Sequence, residues 1–153
     1  NVISLDALAN GAARMDAVKD LGASWKVQRY TVRLVVETGT APTAGTIASA
    51  YLVCSNVSGK YEAGVTGSDG AYKAGEEAEW LKQAGIPAHV VTATNDANVE
   101  QTNEPWMVWQ PSGRYVVPII WNQLGQAFRD QGTASDNLSR LIVTPIERTA
   151  TVS

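Results

Sequence analysis

The sequence predicts an all-β fold: an antiparallel, jelly-roll-like β-sandwich with an N-terminal arm and one short helix. Two observations carry this. Apolar residues recur at every second position along several stretches, the period of a strand with one face on a core and the other turned outward. Between these stretches stand clusters of Gly, Pro, Asn, Asp and Ser. Roughly seven short strands at that spacing indicate a sandwich or jelly roll rather than a parallel α/β sheet.

Residues 1–23 differ from the rest and form the predicted arm, with 24–153 as the sandwich domain. The arm is Ala-rich, and Leu5, Leu8, Ala12, Met15 and Val18 stand near helical spacing, broken at Asn10-Gly11. It reads as part irregular and part short helix. Its apolar side either packs along its own domain or reaches onto a neighbouring subunit. On the second reading, deleting it leaves a folded sandwich.

From Trp25 the strand pattern takes over. KVQRYTVRLVVE puts Tyr30, Val32, Leu34 and Val36 on one face, with Gln28, Arg33 and Glu37 outside. TGTAPTAG is a turn cluster, and TIASAYLVC the next strand, with Ile47, Tyr51 and Val53 sharing a face. A long Gly-punctuated stretch, SNVSGKYEAGVTGSDGAYKAG, reads as a surface loop. EEAEWLKQAG is the one short helix, ending at Gly85. IPAHVVTATN and WMVWQ are strands with a loop between them.

The last third alternates most clearly. GRYVVPIIWNQ aligns Tyr115, Val117, Ile119 and Trp121, and DNLSRLIVTPIER aligns Leu138, Ile142 and Ile146 with Arg140 and Thr144 between them. Pro118 and Pro145 lack a ladder donor, so each belongs at a sheet edge or a bulge.

At 153 residues the chain is long enough for one domain with a real core. Its 44% apolar and 18% charged residues are those of a globular protein. A net charge of −3 without a basic cluster argues against nucleic-acid binding, and no run approaches the length of a membrane helix. The single cysteine, Cys54, allows no internal disulfide and reads as a buried, inert strand thiol.

No reactive constellation emerges. His89 is the only histidine and sits in an apolar strand, without a Gly-x-Ser-x-Gly elbow anywhere in the chain. One His and one Cys do not make a structural zinc site. Glu76, Glu77 and Glu79 suit the first turn of a helix better than a paired-acid cleft. No phosphate-cradling loop or EF-hand spacing is present. The expectation is therefore a non-enzyme with no cofactor and no metal.

The tryptophans are the candidate anchors. Trp106 and Trp109 lie three apart in a strand-like segment and so point to opposite faces. The outward one suits a protein interface, a glycan-stacking platform or cover by a loop of this chain. Together with Trp25 and the arm residues Leu5, Leu8 and Met15, they form the candidate interface.

The stretch from about Thr31 to Glu147 resembles a family of small structural proteins of tailed bacteriophages. The resemblance lies in GRYVVPIIWNQLGQAF and DNLSRLIVTPIER, and upstream in TVRLVVETGTAPTAGTIASAYLVCSNVSGKYEAG with its Gly59-Lys60-Tyr61 element. It implies a jelly-roll virion protein, foremost a capsid decoration (cement) protein on the outer surface of the phage head, made in the host cytoplasm. Its partners would be the major capsid protein and neighbouring copies of itself, with no nucleic acid and no membrane. The competing readings are a collar, tail or fibre component and, from another class, a carbohydrate-binding module with a glycan partner. The arm and the EEAEWLKQAG insertion depart from the family pattern.

Overall fold

The computed structural model describes residues 3, 5–26, 28–85, 87–91, 94–103, 107–130 and 139–146. Its strands are β1 (Ala13–Met15), β2 (Lys19–Asp20), β3 (Arg29–Val36), β4 (Ile47–Ser55), β5 (Gly70–Ala71), β6 (Ala88–Val91), β7 (Gln101–Thr102), β8 (Met107–Trp109), β9 (Tyr115–Gln123) and β10 (Arg140–Ile146). The short helix α1 spans Glu77–Leu81, and a 3-10 turn occupies Ala23–Lys26.

The two longest strands, β4 and β9, are the most apolar and pair in antiparallel register over their whole length, from Ile47↔Gln123 to Ser55↔Tyr115. Around them forms a six-stranded sheet in the order β5-β1-β9-β4-β6, with β2 also paired to β9. A second, four-stranded sheet runs β10-β3-β7, with β8 beside β7 on the same strand. Every pairing is antiparallel. The interleaved order, with β1 and β4 flanking β9, makes the sandwich jelly-roll-like.

Two hydrophobic cores lie on opposite faces of the larger sheet. Between the sheets, Val32, Leu34 and Val36 meet Ala48, Ala50, Val90 and Ile120, with Leu5, Leu124 and Phe128 closing the end. On the far face, Tyr51, Val53, Val117 and Ile119 are covered by Met15, Ala63, Val65, Tyr72 and Leu81. The Gly-punctuated stretch is thus a lid as well as a surface loop. It contributes Ala63, Val65 and Tyr72 to the core, and the Tyr72 hydroxyl donates to the Ala63 carbonyl at 2.6 Å. Burial pushes the Tyr72 phenol up to about 12, assisted by the charge of Glu77.

Within the N-terminal segment, the stretch expected as part helix is a strand. Residues 13–15 are a strand hydrogen-bonded to β9 rather than part of a helix, and β2 follows on the same neighbour. Leu5 is 1% exposed in the inter-sheet core and Met15 8% exposed in the far core. A stretch with alternate apolar side chains gains more from an open sheet edge than from a short helix, which is marginal on its own. Asn122, fully buried on β9, stitches it down: its amide donates to the Leu8 carbonyl at 2.8 Å and to the Gln126 carbonyl at 2.9 Å.

Pro118 lies inside the sheet, opposite a bulge. Met15 pairs with Ile119 and Lys19 with Val116, so four steps on one strand face three on the other. The Asp16 N–H donates to the Pro118 carbonyl at 2.9 Å, so the missing proline donor faces this irregular stretch. Pro145 lies on β10, an edge strand.

Three further expectations change. Glu37 is buried (4% exposed) rather than outside, because Arg129 pairs with its carboxylate and the Ser139 hydroxyl accepts its main-chain N–H. On β10 the core-facing side is that of Leu141, which lies opposite Leu34. Ile142, opposite Arg33, and Ile146, opposite Arg29, look outward, and Leu138 lies outside the described residues. Cys54 is half-buried, with Sγ 3.8 Å from the Leu52 carbonyl oxygen.

Deleting residues 1–23 removes three large buried side chains, Ile3, Leu5 and Met15, of a class worth about 2–5 kcal/mol each, against a usual domain stability of about 5–15 kcal/mol. The truncated chain is therefore expected to lose its cooperative melting transition; a transition retained near the full-length temperature would show that the segment is dispensable.

Arg114 grips Asp20 with two charge-assisted bonds of 2.6 and 2.7 Å and holds its carboxyl at about 2, aided by the Gly22 N–H. A carboxyl that is more acidic folded than unfolded stabilises fully above pH 3.8 and loses that contribution as pH falls toward 2. The Asp20→Asn variant is expected to show a flatter dependence of melting temperature on pH across that window. Parallel profiles for the two proteins would exclude the linkage.

Candidate interaction surface

The six residues singled out as interface anchors do not converge. Leu5 and Met15 belong to different cores on opposite faces of the larger sheet. Leu8 is half-buried against the inter-sheet core, and its carbonyl accepts from the Phe128 N–H at 3.0 Å. Trp25 sits half-buried on the 3-10 turn, with the Lys26 ammonium 5.7 Å from its ring centroid. Trp109 is half-buried, packs against the inter-sheet core and lies 5.5 Å from Tyr30, centroid to centroid. Trp106 lies outside the described residues. The other tryptophans are tied locally: Trp80 donates to Glu76 at 2.9 Å under the Lys73 ammonium, and Trp121 donates to the Gly11 carbonyl at 3.1 Å.

The surface that does emerge is the outer face of the smaller sheet. The even-numbered residues of β3 enter the core, so Arg29, Thr31 and Arg33 face outward. The register places Val108 of β8 opposite Thr31 on one side and Thr144 of β10 on the other. Ile142 and Ile146 flank this row. Val108 is 61% and Ile146 37% exposed, a large apolar exposure for two strands of one face. Arg33 Nε donates to Thr102 Oγ1 at 3.1 Å, and Arg140 pairs with Glu100 at 2.7 Å, which hold the upper part of the face in place.

Val108, Thr144 and Ile146 of that row are exposed, whereas the outer face of the larger sheet is covered by the 56–76 stretch and α1. The run LIVTPI conceals the signal, because apolar residues occupy both of its faces. Leu141 and Ile142 are both half-buried, and only the register with β3 distinguishes the core-facing Leu141 side from the outward Ile142 side.

The Ser and His residues do meet, but as a strand-to-strand tie. Ser49 and His89 are cross-strand partners, with Ser49 Oγ 2.7 Å from His89 Nδ1. Ser49 is completely buried and His89 exposed, so the hydroxyl that a nucleophile would present to a substrate is shut away from solvent. Burial raises the neighbouring Tyr51 phenol, opposed by its bond to Ser49. Among the described residues no group of three or more His, Cys, Asp or Glu is placed to hold a metal, and no helix is long and apolar enough to cross a membrane.

Comparison with protein-family models, with curated proteins and with solved structures finds no match.

Ser49→Ala is expected to cost about 0.5–1.5 kcal/mol, the net worth of one hydrogen bond, because His89 stays solvated when its partner is removed. Chemical denaturation measures it. A cost well above that range would mean that the pair organises more than the β4–β6 junction.

Proposed function

We propose that this chain is a virion structural protein of a tailed bacteriophage, a capsid decoration (cement) protein. In this reading it sits on the outside of the head and bridges neighbouring major capsid proteins. The observation that carries the reading is the outward row Val108–Thr31–Thr144 with Ile142 and Ile146, in which Val108 is 61% and Ile146 37% exposed, on a sandwich whose other broad face is covered by the 56–76 stretch and α1. The resemblance from Thr31 to Glu147 supplies the particle.

The physical logic is one of linkage. A body that binds only the assembled shell shifts the equilibrium toward that shell, in proportion to the logarithm of its saturation. Such a body needs a rigid frame, interface area and a few desolvated anchors. The two cores supply the frame, and the exposed row supplies the anchors.

The double variant Val108→Asp, Ile146→Asp tests the face. Both side chains are exposed, so the fold should change by less than about 0.5 kcal/mol. Loss of a central anchor costs at least about 2 kcal/mol of binding, roughly thirtyfold in affinity. Mixed with undecorated shells, the variant should show correspondingly lower occupancy by co-sedimentation and leave the shells at their undecorated heat resistance. Occupancy equal to the wild type would remove this face from consideration. Binding of the wild type to purified tails but not to shells would replace the head assignment with a tail one.

A further inference from the structure

A cleft of 420 Å³ opens on the flank of the sandwich, beside the outer face of the smaller sheet, and Val108 borders both. Its floor is formed by Leu52 of β4 and by Met107 and Trp109 of β8, three side chains that also pack against the inter-sheet core. Its rim includes Ala84, Gln110 and Ser112. We propose that this cleft is a binding subsite for a neutral saccharide, with one pyranose ring seated against Trp109.

Three features of the cleft select that chemistry. First, none of its described lining residues is charged, so an anion or cation entering it would lose hydration without compensation. Second, its polar groups stand at the rim of an apolar floor. The Gln110 amide gives one N–H to the Lys26 carbonyl at 3.4 Å, while its Oε1 and the Ser112 hydroxyl have no protein partner among the described residues. A purely apolar ligand would bury these groups unpaired, whereas a sugar offers hydroxyls to them and its C–H face to the indole. Third, Tyr30 stacks beside Trp109 at a 46° tilt and holds the ring in a fixed position, which lowers the entropy lost on binding.

An extended peptide fits less well. In an antiparallel ladder, residues turn their main-chain groups alternately to either side. The Leu34 N–H and carbonyl face Asn103, on the β7–β8 side of β3. By the same alternation Tyr30 and Val32 bond to Trp109 and Met107, and only Val108 of β8 turns its groups outward. One residue is too short for a stable added strand.

The test is ¹⁵N NMR of the intact chain, titrated with maltose, cellobiose, lactose and N,N′-diacetylchitobiose at millimolar concentration. At least one sugar should move the Trp109 indole resonance saturably, and the Trp80 indole should stay in place. Trp109→Ala should weaken that response at least tenfold. Because this variant also loses the Tyr30 contact, Ala84→Phe provides the second arm: it fills the cleft from the rim, at a residue that packs against the far core and leaves the Trp109–Tyr30 contact in place, and should weaken binding by the same factor. No saturable shift with any of the four sugars would overturn the proposal, as would a response that survives Ala84→Phe. Displacement of the same resonances by acetyl-Leu-Phe-amide but by none of the sugars would also overturn it and assign the cleft to a protein side chain.

Discussion

The pairing of Ile47–Ser55 with Tyr115–Gln123 is the constraint on which the remaining structure depends. These nine-residue strands are neighbours at the centre of the larger sheet, and side chains on both their faces are buried. One face must therefore be covered by the second sheet and the other by whatever else the chain can supply. The Gly-punctuated stretch and α1 provide that second cover, which is why Tyr72, Ala63 and Val65 go inward from an otherwise loop-like sequence. Where the ladder ends, Gly113 passes so close to the Ser55 backbone that an added Cβ would lie 2.5 Å from its carbonyl carbon. Only glycine allows the chain to turn into β9 there.

The same ladder explains the N-terminal segment. With β4 on one side, β9 has a free edge on the other, and an unpaired central strand would leave a row of buried polar groups unsatisfied. Residues 11–20 fill that edge, held by the Gly11–Asn122 and Ala12–Asn122 main-chain bonds and by the two ion pairs of Arg14 with Asp69 and Arg114 with Asp20. These exposed pairs contribute little energy singly. They act as register marks, since each joins residues far apart in the chain. Lys19 illustrates the cost of the bulge beside them: its Nζ is buried and makes a 2.9 Å ion pair with Asp16, but in a geometry that satisfies no hydrogen bond.

Much of the sandwich was legible because alternation survives where one face meets water. β3 shows this in Tyr30, Val32, Leu34 and Val36, all on the buried side as expected. Legibility failed where both faces are covered or where a polar residue is internal. β4 reads IASAYLVCS, and its alanines mark one core while Tyr51 and Val53 mark the other, a distinction that needs the partner strands. Asn122 looks like a polar turn residue in WNQLG, yet it is fully buried because three backbone groups require its amide. Leu5 and Met15 read as apolar, but the sequence leaves open whether they pack on their own domain or on a neighbour, since helical and strand spacing cannot be told apart over so few residues. The outward row of the smaller sheet was hidden for a related reason, because Ile142 and Leu141 differ only in register.

Pro145 has a consequence for crowding. β10 borders the smaller sheet, and a border strand with intact donors and acceptors is a template onto which any identical strand can zip. Tyr30, directly opposite, turns its main-chain groups toward β8, so the alternation directs those of Pro145 to the open side. There the imide nitrogen offers no proton, and a second copy approaching edge to edge finds a gap in the ladder where a bond should form. The chain can thus be held at high local density, copy beside copy, without the border strands seeding an amyloid-like stack.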